Sequence, residues 1–424
     1  MYAGTTEAAH HFMNTASKLL CAIILGAFMA WTIPLLVVDG VPKALLTSLV
    51  SLVAFLLIAE LAFRQVYKWR TGRLPERFER IPMDELHVEP HPYLPYVYRR
   101  DFAPAQDLRR DTFIQSPIHG DRFRFPRPSF NNFRLKREPV TAPNITVPKP
   151  AGRLRVLCLG ASTTANSVED LGQTYSYPME LEKALRLRHG TEDIEVVNGG
   201  MGGRTTAEIL IHFLLELVDM QPDIVVIYHA YNDLGPSLTP NFHNDYSHAR
   251  KNIGEVYHLY KLRALFPDLP SALYTYLLNT FFPGELSTSL LEAISVGKPN
   301  IEGQFQGLPI YRRNLGHLID LCRANNIDVL CSSYCQYLYP EVANSPVHLK
   351  YREGLLQENA AMQELAAGRN AAFVDTAFLM PTDPELFIDS VHFSPLGMAR
   401  LAAILTDALT PLVEKRLREN NISA

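Results

Sequence analysis

The chain has 424 residues, 47% of them hydrophobic, and a formal net charge of −4. That length and apolar content allow one large domain with additions, and the mild charge, with Lys and Arg spread along the chain, excludes a nucleic-acid footprint. Five irregularly spaced cysteines make neither a disulfide framework nor a zinc site, and Cys331 and Cys335 read as ordinary residues at a strand end.

Residues 1–18 form a tail. Residues 19–38, LLCAIILGAFMAWTIPLLVV, are an uncharged run of the length that crosses a bilayer core. DGVPK at 39–43 is a turn signal, and a second apolar run covers 44–63, interrupted only by Glu60. Residues 19–63 therefore predict a transmembrane helical hairpin rather than a cleaved signal, because the first run is long and a second follows at once. Glu60 is within reach of Arg64 on one helical face, so its charge need not enter lipid. Arg64, Lys68, Arg70 and Arg73 flank the second span, Lys18 precedes the first, and the turn carries only Lys43. This asymmetry places both termini on the cytoplasmic side.

Residues 64–150 are basic, aromatic and proline-rich, with little periodicity, and predict a linker or an arm wrapped on a domain. From Arg153 short apolar runs alternate with helical stretches. LRVLCLG, IEVVNGG, DIVVIYHA, IDVLCSSY and AAFVD read as strands. The stretches 175–188, 205–220, 312–324, 355–367 and 396–419 read as helices. Near-continuous apolar strands alternating with helices predict a parallel sheet covered on both faces over 151–424, with ligands at the carboxyl ends of the strands. The alternation breaks at 236–304, which is rich in Tyr, Phe, Leu and His and predicts a helical cap.

Four signals fall at strand ends. Ser162 stands in GASTT after the first strand, and the pair Gly202–Gly203 in VVNGGMGGRTT after the second. Asn232 stands in YHAYND after the third, and Asp389 and His392 in FIDSVHFSPLG before the last helix. A serine hydroxyl is a weak nucleophile without a base, histidine is the usual base, and a carboxylate on the other imidazole nitrogen fixes its tautomer. The N–H groups of Ser162 and Gly203 and the side-chain amide of Asn232 are the candidate donors to a tetrahedral oxyanion. His229 reads as a strand-end residue with a satisfied hydrogen bond, and Tyr334 and Gln336 as candidates to line the pocket. Arg204 reads as a cation paired with a nearby acid rather than one facing an anionic substrate group. NGGMGG is no dinucleotide fingerprint, because Thr205 occupies the last glycine place.

Over roughly residues 153–415 these blocks resemble those of the SGNH (GDSL-type) hydrolases. Ser162 matches the nucleophile, Asn232 the asparagine, and Asp389 and His392 the terminal block. Gly203 aligns best with the oxyanion glycine, with Gly200 as the competing register. Ala161 stands where the family often has Asp, and Ala230 where it often has Gly. The resemblance implies a flavodoxin-like three-layer α/β/α fold with a central parallel sheet, no cofactor and no metal. It also implies a serine esterase that cleaves acyl esters of a lipid or glycan through an acyl-enzyme on Ser162. An O-acyltransferase using the same triad, or a silent tethered module, are the alternatives. With the hairpin, the expected setting is a lipid bilayer, in a bacterial inner membrane with the hydrolase domain in the cytoplasm.

Overall fold

The computed structural model describes residues 41–71, 87–103, 114–126, 129–138, 142–254, 271–281 and 294–423. The chain divides into two compact units, Met1–Arg80 with Leu262–Gly284, and Ile81–Lys261 with Glu285–Ala424.

In the first unit, α1 (Val41–Thr71) contains the second predicted span, while the first span at 19–38 lies outside the described residues. Its stretch Thr47–Trp69 is long and apolar enough to cross a membrane and is almost entirely unburied. Leu49, Val53, Leu57, Ile58 and Leu61 all face outward, and outward apolar side chains suit a lipid rather than an aqueous surround.

The second unit opens with the arm. β1 (Val88–Glu89) pairs antiparallel with β2 (Val97–Tyr98). Leu94, Tyr96, Tyr98, Phe102 and Phe130 bury with Met201, Ile253 and Ile294 in a cluster of their own. The parts of the expected arm described from residue 87 on are thus packed on the domain, while residues 64–71 continue α1.

Five strands make the parallel sheet: β3 (Leu154–Gly160), β6 (Ile194–Asn198), β7 (Ile224–Tyr228), β8 (Asp328–Ser332) and β9 (Ala372–Val374). A short hairpin, β4 (Val168–Asp170) with β5 (Gln173–Tyr175), follows the turn α2 (Ser162–Ala165). The spatial order β6-β3-β7-β8-β9 is the flavodoxin-like one. Every residue of β3 and β7 is buried, as expected of strands covered on both faces.

The helices are α3 (Tyr177–His189), α4 (Thr206–Leu215), α5 (Leu234–Leu238), α6 (Ala272–Phe281), α7 (Leu308–Ala324), α8 (Pro346–Gly368), α9 (Thr376–Leu379) and α10 (Pro395–Ser423). α3 packs with α10, and α7 with both α4 and α8. α8 begins at Pro346 rather than near residue 355, because extended Ser345 is followed by a proline whose fixed φ suits the first turn. The helix expected over 205–220 ends at Leu215 and continues as a tighter turn, Leu217–Met220.

Within the expected cap, residues 236–254 and 294–304 belong to the sheet's unit, with Leu238, Tyr246, Ile253 and Ile294 buried. The helix α6 belongs instead with α1. Glu60 Oε2 accepts from the Ser271 hydroxyl (2.7 Å) and the Leu273 N–H (3.0 Å), and Oε1 from the Ala272 N–H (2.8 Å). The carboxylate therefore satisfies the first N–H groups of α6 as well as meeting Arg64 Nε at 2.5 Å.

Candidate active site

β3 ends at Gly160, and the chain turns at once into α2. A Cβ at Gly160 would lie 2.1 Å from Thr164 Oγ1 and 2.5 Å from the Tyr228 carbonyl, so only glycine allows this turn beside β7. Ser162 opens α2 at the carboxyl edge of the sheet, with Asn232 after the neighbouring strand β7. That junction is the switch point of a sheet with this strand order.

The last block folds as a tight loop onto α10. Ser394 receives the Gly397 N–H at 3.2 Å, and a Cβ at Gly397 would sit 1.9 Å from the Leu386 carbonyl. Asp389 Oδ1 accepts the N–H groups of Val391 and His392, both at 2.8 Å. Its Oδ2 meets His392 Nδ1 at 2.7 Å, and His392 Nε2 meets Ser162 Oγ at 2.9 Å. These contacts set the ionisation of both groups. Burial opposes the Asp389 charge, but His392 and the two N–H donors outweigh it and its pKa is lowered. Burial likewise works to lower the His392 pKa, but the Asp389 charge and hydrogen bond outweigh it and the pKa is raised.

The two candidate glycines differ. Gly200 donates its N–H to Asn198 Oδ1 at 3.0 Å, and a Cβ there would lie 2.3 Å from the Ala165 nitrogen. Its role is close approach to α2. Gly203 adopts φ +70°, and its N–H has no hydrogen-bond partner among the described residues. Asn232 gives one amide hydrogen to the Arg204 carbonyl at 3.0 Å, which leaves its second hydrogen to donate elsewhere.

A profile of the GDSL-like Lipase/Acylhydrolase family matches residues 158–400, more than half of the chain. The chain belongs to that family. This GDSL-like hydrolase is a serine hydrolase acting on ester bonds by class. Among solved structures it is similar to a lipase/acylhydrolase from Enterococcus faecalis, at 19% identity over 60% of this chain and 95% of that one, with a TM-score of 0.37. An acetyl xylan esterase variant from Geobacillus stearothermophilus matches at 17% over 60% and 94%, with a TM-score of 0.37. A GDSL-like lipase from Bacteroides thetaiotaomicron matches at 16% over 61% and 88%, with a TM-score of 0.34. No curated protein sequence matches.

Several residues around the hydrolase site differ from their sequence reading. Arg204 is almost wholly buried, stacks on the Tyr96 ring at 5.0 Å and donates to the Tyr96 carbonyl. It makes no ion pair among the described residues. The neighbouring acid, Glu208, receives the Thr205 N–H and pairs with Arg250 at 3.3 Å. Tyr334 is packed between Tyr228 (4.9 Å) and Tyr231 (6.4 Å) instead of lining an open wall. Gln336 holds its amide buried with no partner among the described residues.

His229 is structural, meeting Asp233 Oδ2 at 2.8 Å. Asp233 also accepts from the Thr206 N–H and hydroxyl and from the Tyr246 hydroxyl, fastening the Asn232 turn to the start of α4. Asp233 is the residue that sequence reasoning missed. The arm also reaches the Asp389–His392 loop. Ser116 donates to the Ile388 carbonyl at 2.5 Å, and His119 Nε2 lies 3.0 Å from the Phe387 carbonyl. Beside Asn232 opens a mostly apolar cavity of about 380 Å³, walled by Tyr231, Pro236, Val296, Pro299, Val347 and Tyr351.

Proposed function

We propose that this GDSL-like hydrolase is a membrane-anchored serine esterase that cleaves O-acyl esters of a lipid or glycan through an acyl-enzyme on Ser162. The continuous contact from Ser162 Oγ through the His392 ring to Asp389, at 2.9 and 2.7 Å, carries the proposal. Ser162 Oγ attacks the acyl carbon while His392 Nε2 takes its proton. The Asp389 carboxylate holds Nδ1–H and stabilises the imidazolium. The tetrahedral oxyanion receives the Ser162 and Gly203 N–H groups and the free amide hydrogen of Asn232. Gly203 is preferred to Gly200 because the Gly200 N–H is already given to Asn198.

Collapse expels the alcohol, which takes the proton from Nε2 and leaves Ser162 acylated. His392 then deprotonates a water, whose attack releases the carboxylic acid and restores the serine. The cavity beside Asn232 would take an apolar part of the substrate. α1, with its outward apolar surface, supports a bilayer anchor.

The test is labelling with an organophosphonate serine probe, together with turnover of p-nitrophenyl esters from acetyl to long acyl, with and without a sugar acceptor. Label and turnover should vanish in Ser162→Ala. Label that persists in that variant would remove Ser162 from the chemistry. An acylated sugar in place of free acid would make the protein a transferase working through the same acyl-enzyme.

A further inference from the structure

Three consecutive carbonyls in the loop after β6 each accept a hydrogen bond from a side chain of another segment. The Tyr96 hydroxyl donates to Gly202 at 2.5 Å, Arg250 Nη2 to Gly203 at 2.8 Å, and Asn232 Nδ2 to Arg204 at 3.0 Å. The first of these matters most. The Gly202 carbonyl and the Gly203 N–H belong to one planar trans peptide and point in opposite directions. Whatever holds that carbonyl also aims that N–H. At Gly203 the backbone is in the left-handed region, where glycine moves readily between wells, so the peptide plane needs an external hold.

Tyr96 itself is rigid. It is fully buried, lies edge-on to Tyr98 with ring centres 5.8 Å apart, and carries the Arg204 guanidinium over its ring. Its carbonyl accepts from that same guanidinium, so Arg204 ties the loop to the residue that orients it. Arg250 fixes the next peptide, and its own backbone is held by an isolated antiparallel bridge to Ser295. Both side chains come from outside the alternating strand–helix core, Tyr96 from the wrapping arm and Arg250 from the insertion.

We propose that Tyr96, seconded by Arg250, is a positioning residue that presets the Gly203 N–H toward the oxyanion. The proposal rests on the esterase reading above, with Gly203 as an oxyanion donor. Tyr96 touches neither substrate nor the reacting atoms; it acts through one peptide plane. Preset donors need no reorganisation as charge develops, and a donor swung out of line loses most of its effect.

Full-length protein in detergent is assayed as wild type and Tyr96→Phe, with p-nitrophenyl acetate and an alkyl trifluoromethyl ketone. The ketone adds to the serine as a hemiketal oxyanion. Tyr96→Phe should lower kcat about 10- to 100-fold with KM nearly unchanged, and weaken the ketone by the same factor. A variant that only loosened packing would lower the Tm or raise KM without tracking the ketone affinity. If Tyr96→Phe does not accumulate, Arg250→Gln frees the peptide on the other side of Gly203 and is read by whether kcat and ketone affinity fall together, because Arg250 also lines the cavity beside Asn232 and can move KM by itself. Wild-type kcat and ketone affinity in the variant, with Asn232→Ala still impaired, would overturn the Tyr96 role and leave the esterase reading standing. Full activity in Ser162→Ala would overturn both.

Discussion

His392 carries two opposing influences, burial and the Asp389 carboxylate, and the carboxylate prevails. In the proposed mechanism the base form is the active one, so kcat/KM should rise with pH through an apparent pKa above 6.5, the ordinary histidine value. Asp389→Asn removes the influence that raises it. In that variant the apparent pKa should fall and the rate drop about 10⁴-fold through loss of the correct tautomer. A pH–rate profile of the two proteins checks both. The Asn232→Ala variant should lose about 10²–10³-fold in kcat, the usual effect of one oxyanion donor.

Glu358 offers a second residue-level prediction. It is 2% exposed, its Oε2 has no partner among the described residues, and burial followed by the Asp233 charge pushes its pKa well above 4.5. The folded state then holds a proton that the unfolded state has released, so stability falls as pH rises above 4.5. Glu358→Gln abolishes that dependence. Thermal melts should show the variant gaining on the wild type from pH 5 to pH 8, and a constant difference would refute the buried neutral acid.

At the scale of elements, the Ser162 turn is wedged between two strand ends. A Cβ at Gly200 would lie 2.3 Å from the Ala165 nitrogen and 2.7 Å from the Thr164 carbonyl carbon, both backbone atoms of α2. Gly200→Ala should therefore cost about 1–3 kcal/mol and shift Ser162 off His392. Gly202→Ala is the control, since its Cβ would meet nothing closer than the Tyr96 hydroxyl at 3.6 Å. Denaturant melts and probe-labelling rates separate the two. In the first unit, Glu60 accepts two N–H groups and a hydroxyl at the start of α6. Glu60→Ala should weaken that helix by about 1 kcal/mol, the usual cost of a lost cap, read as faster limited proteolysis around 271–281.

At the scale of the whole molecule, two helices among the described residues have the length and composition of a membrane span, and their burial tells them apart. Pro395–Glu419 is half buried, with Leu401, Leu405, Leu409 and Val413 at helical spacing and no exposure at all. That is a core stripe, so α10 covers the sheet. Thr47–Trp69 is 6% buried, which makes α1 the candidate for the proposed anchor. α6 packs with α1, with Phe63 and Tyr276 ring centres 5.0 Å apart. Removing 1–80 alone should therefore strand an apolar helix and give aggregates, while removing 1–80 together with 262–284 should give a monodisperse, soluble protein by size exclusion. The excess of basic residues after the apolar run 44–63 (Arg64, Lys68, Arg70 and Arg73) over the single Lys43 before it predicts, for the proposed anchor, a cytoplasmic hydrolase domain. C-terminal fusions to alkaline phosphatase and to green fluorescent protein should be inactive and bright respectively, and the opposite pair would reverse the orientation.

The strands, the parallel sheet and the residues at its carboxyl edge were legible in the chain. Doubly buried strands read as continuous apolar runs, and the Ser, Asn, Asp and His proposed for the chemistry are specific residue types at strand ends. Helix starts such as that of α8 were present too, as Ser345–Pro346, and were missed because apolar periodicity begins later than the cap. Other features depended on contacts between residues far apart in the chain. Nothing in HPYLPYVYRRDF says that Tyr96 ends under the Gly202 carbonyl, because the arm has no period and its place follows from long-range packing with Met201, Ile253 and Ile294. Arg204 was expected to find an acid. The tertiary fold gave that acid to Arg250 and turned Arg204 onto a tyrosine ring, a choice set by which side chain reaches Glu208 first in space. The split of the insertion, with Arg250 in the sheet's unit and α6 beside α1, is likewise a long-range matter: in α1 the Glu60 carboxylate takes N–H donors from a helix more than 200 residues on.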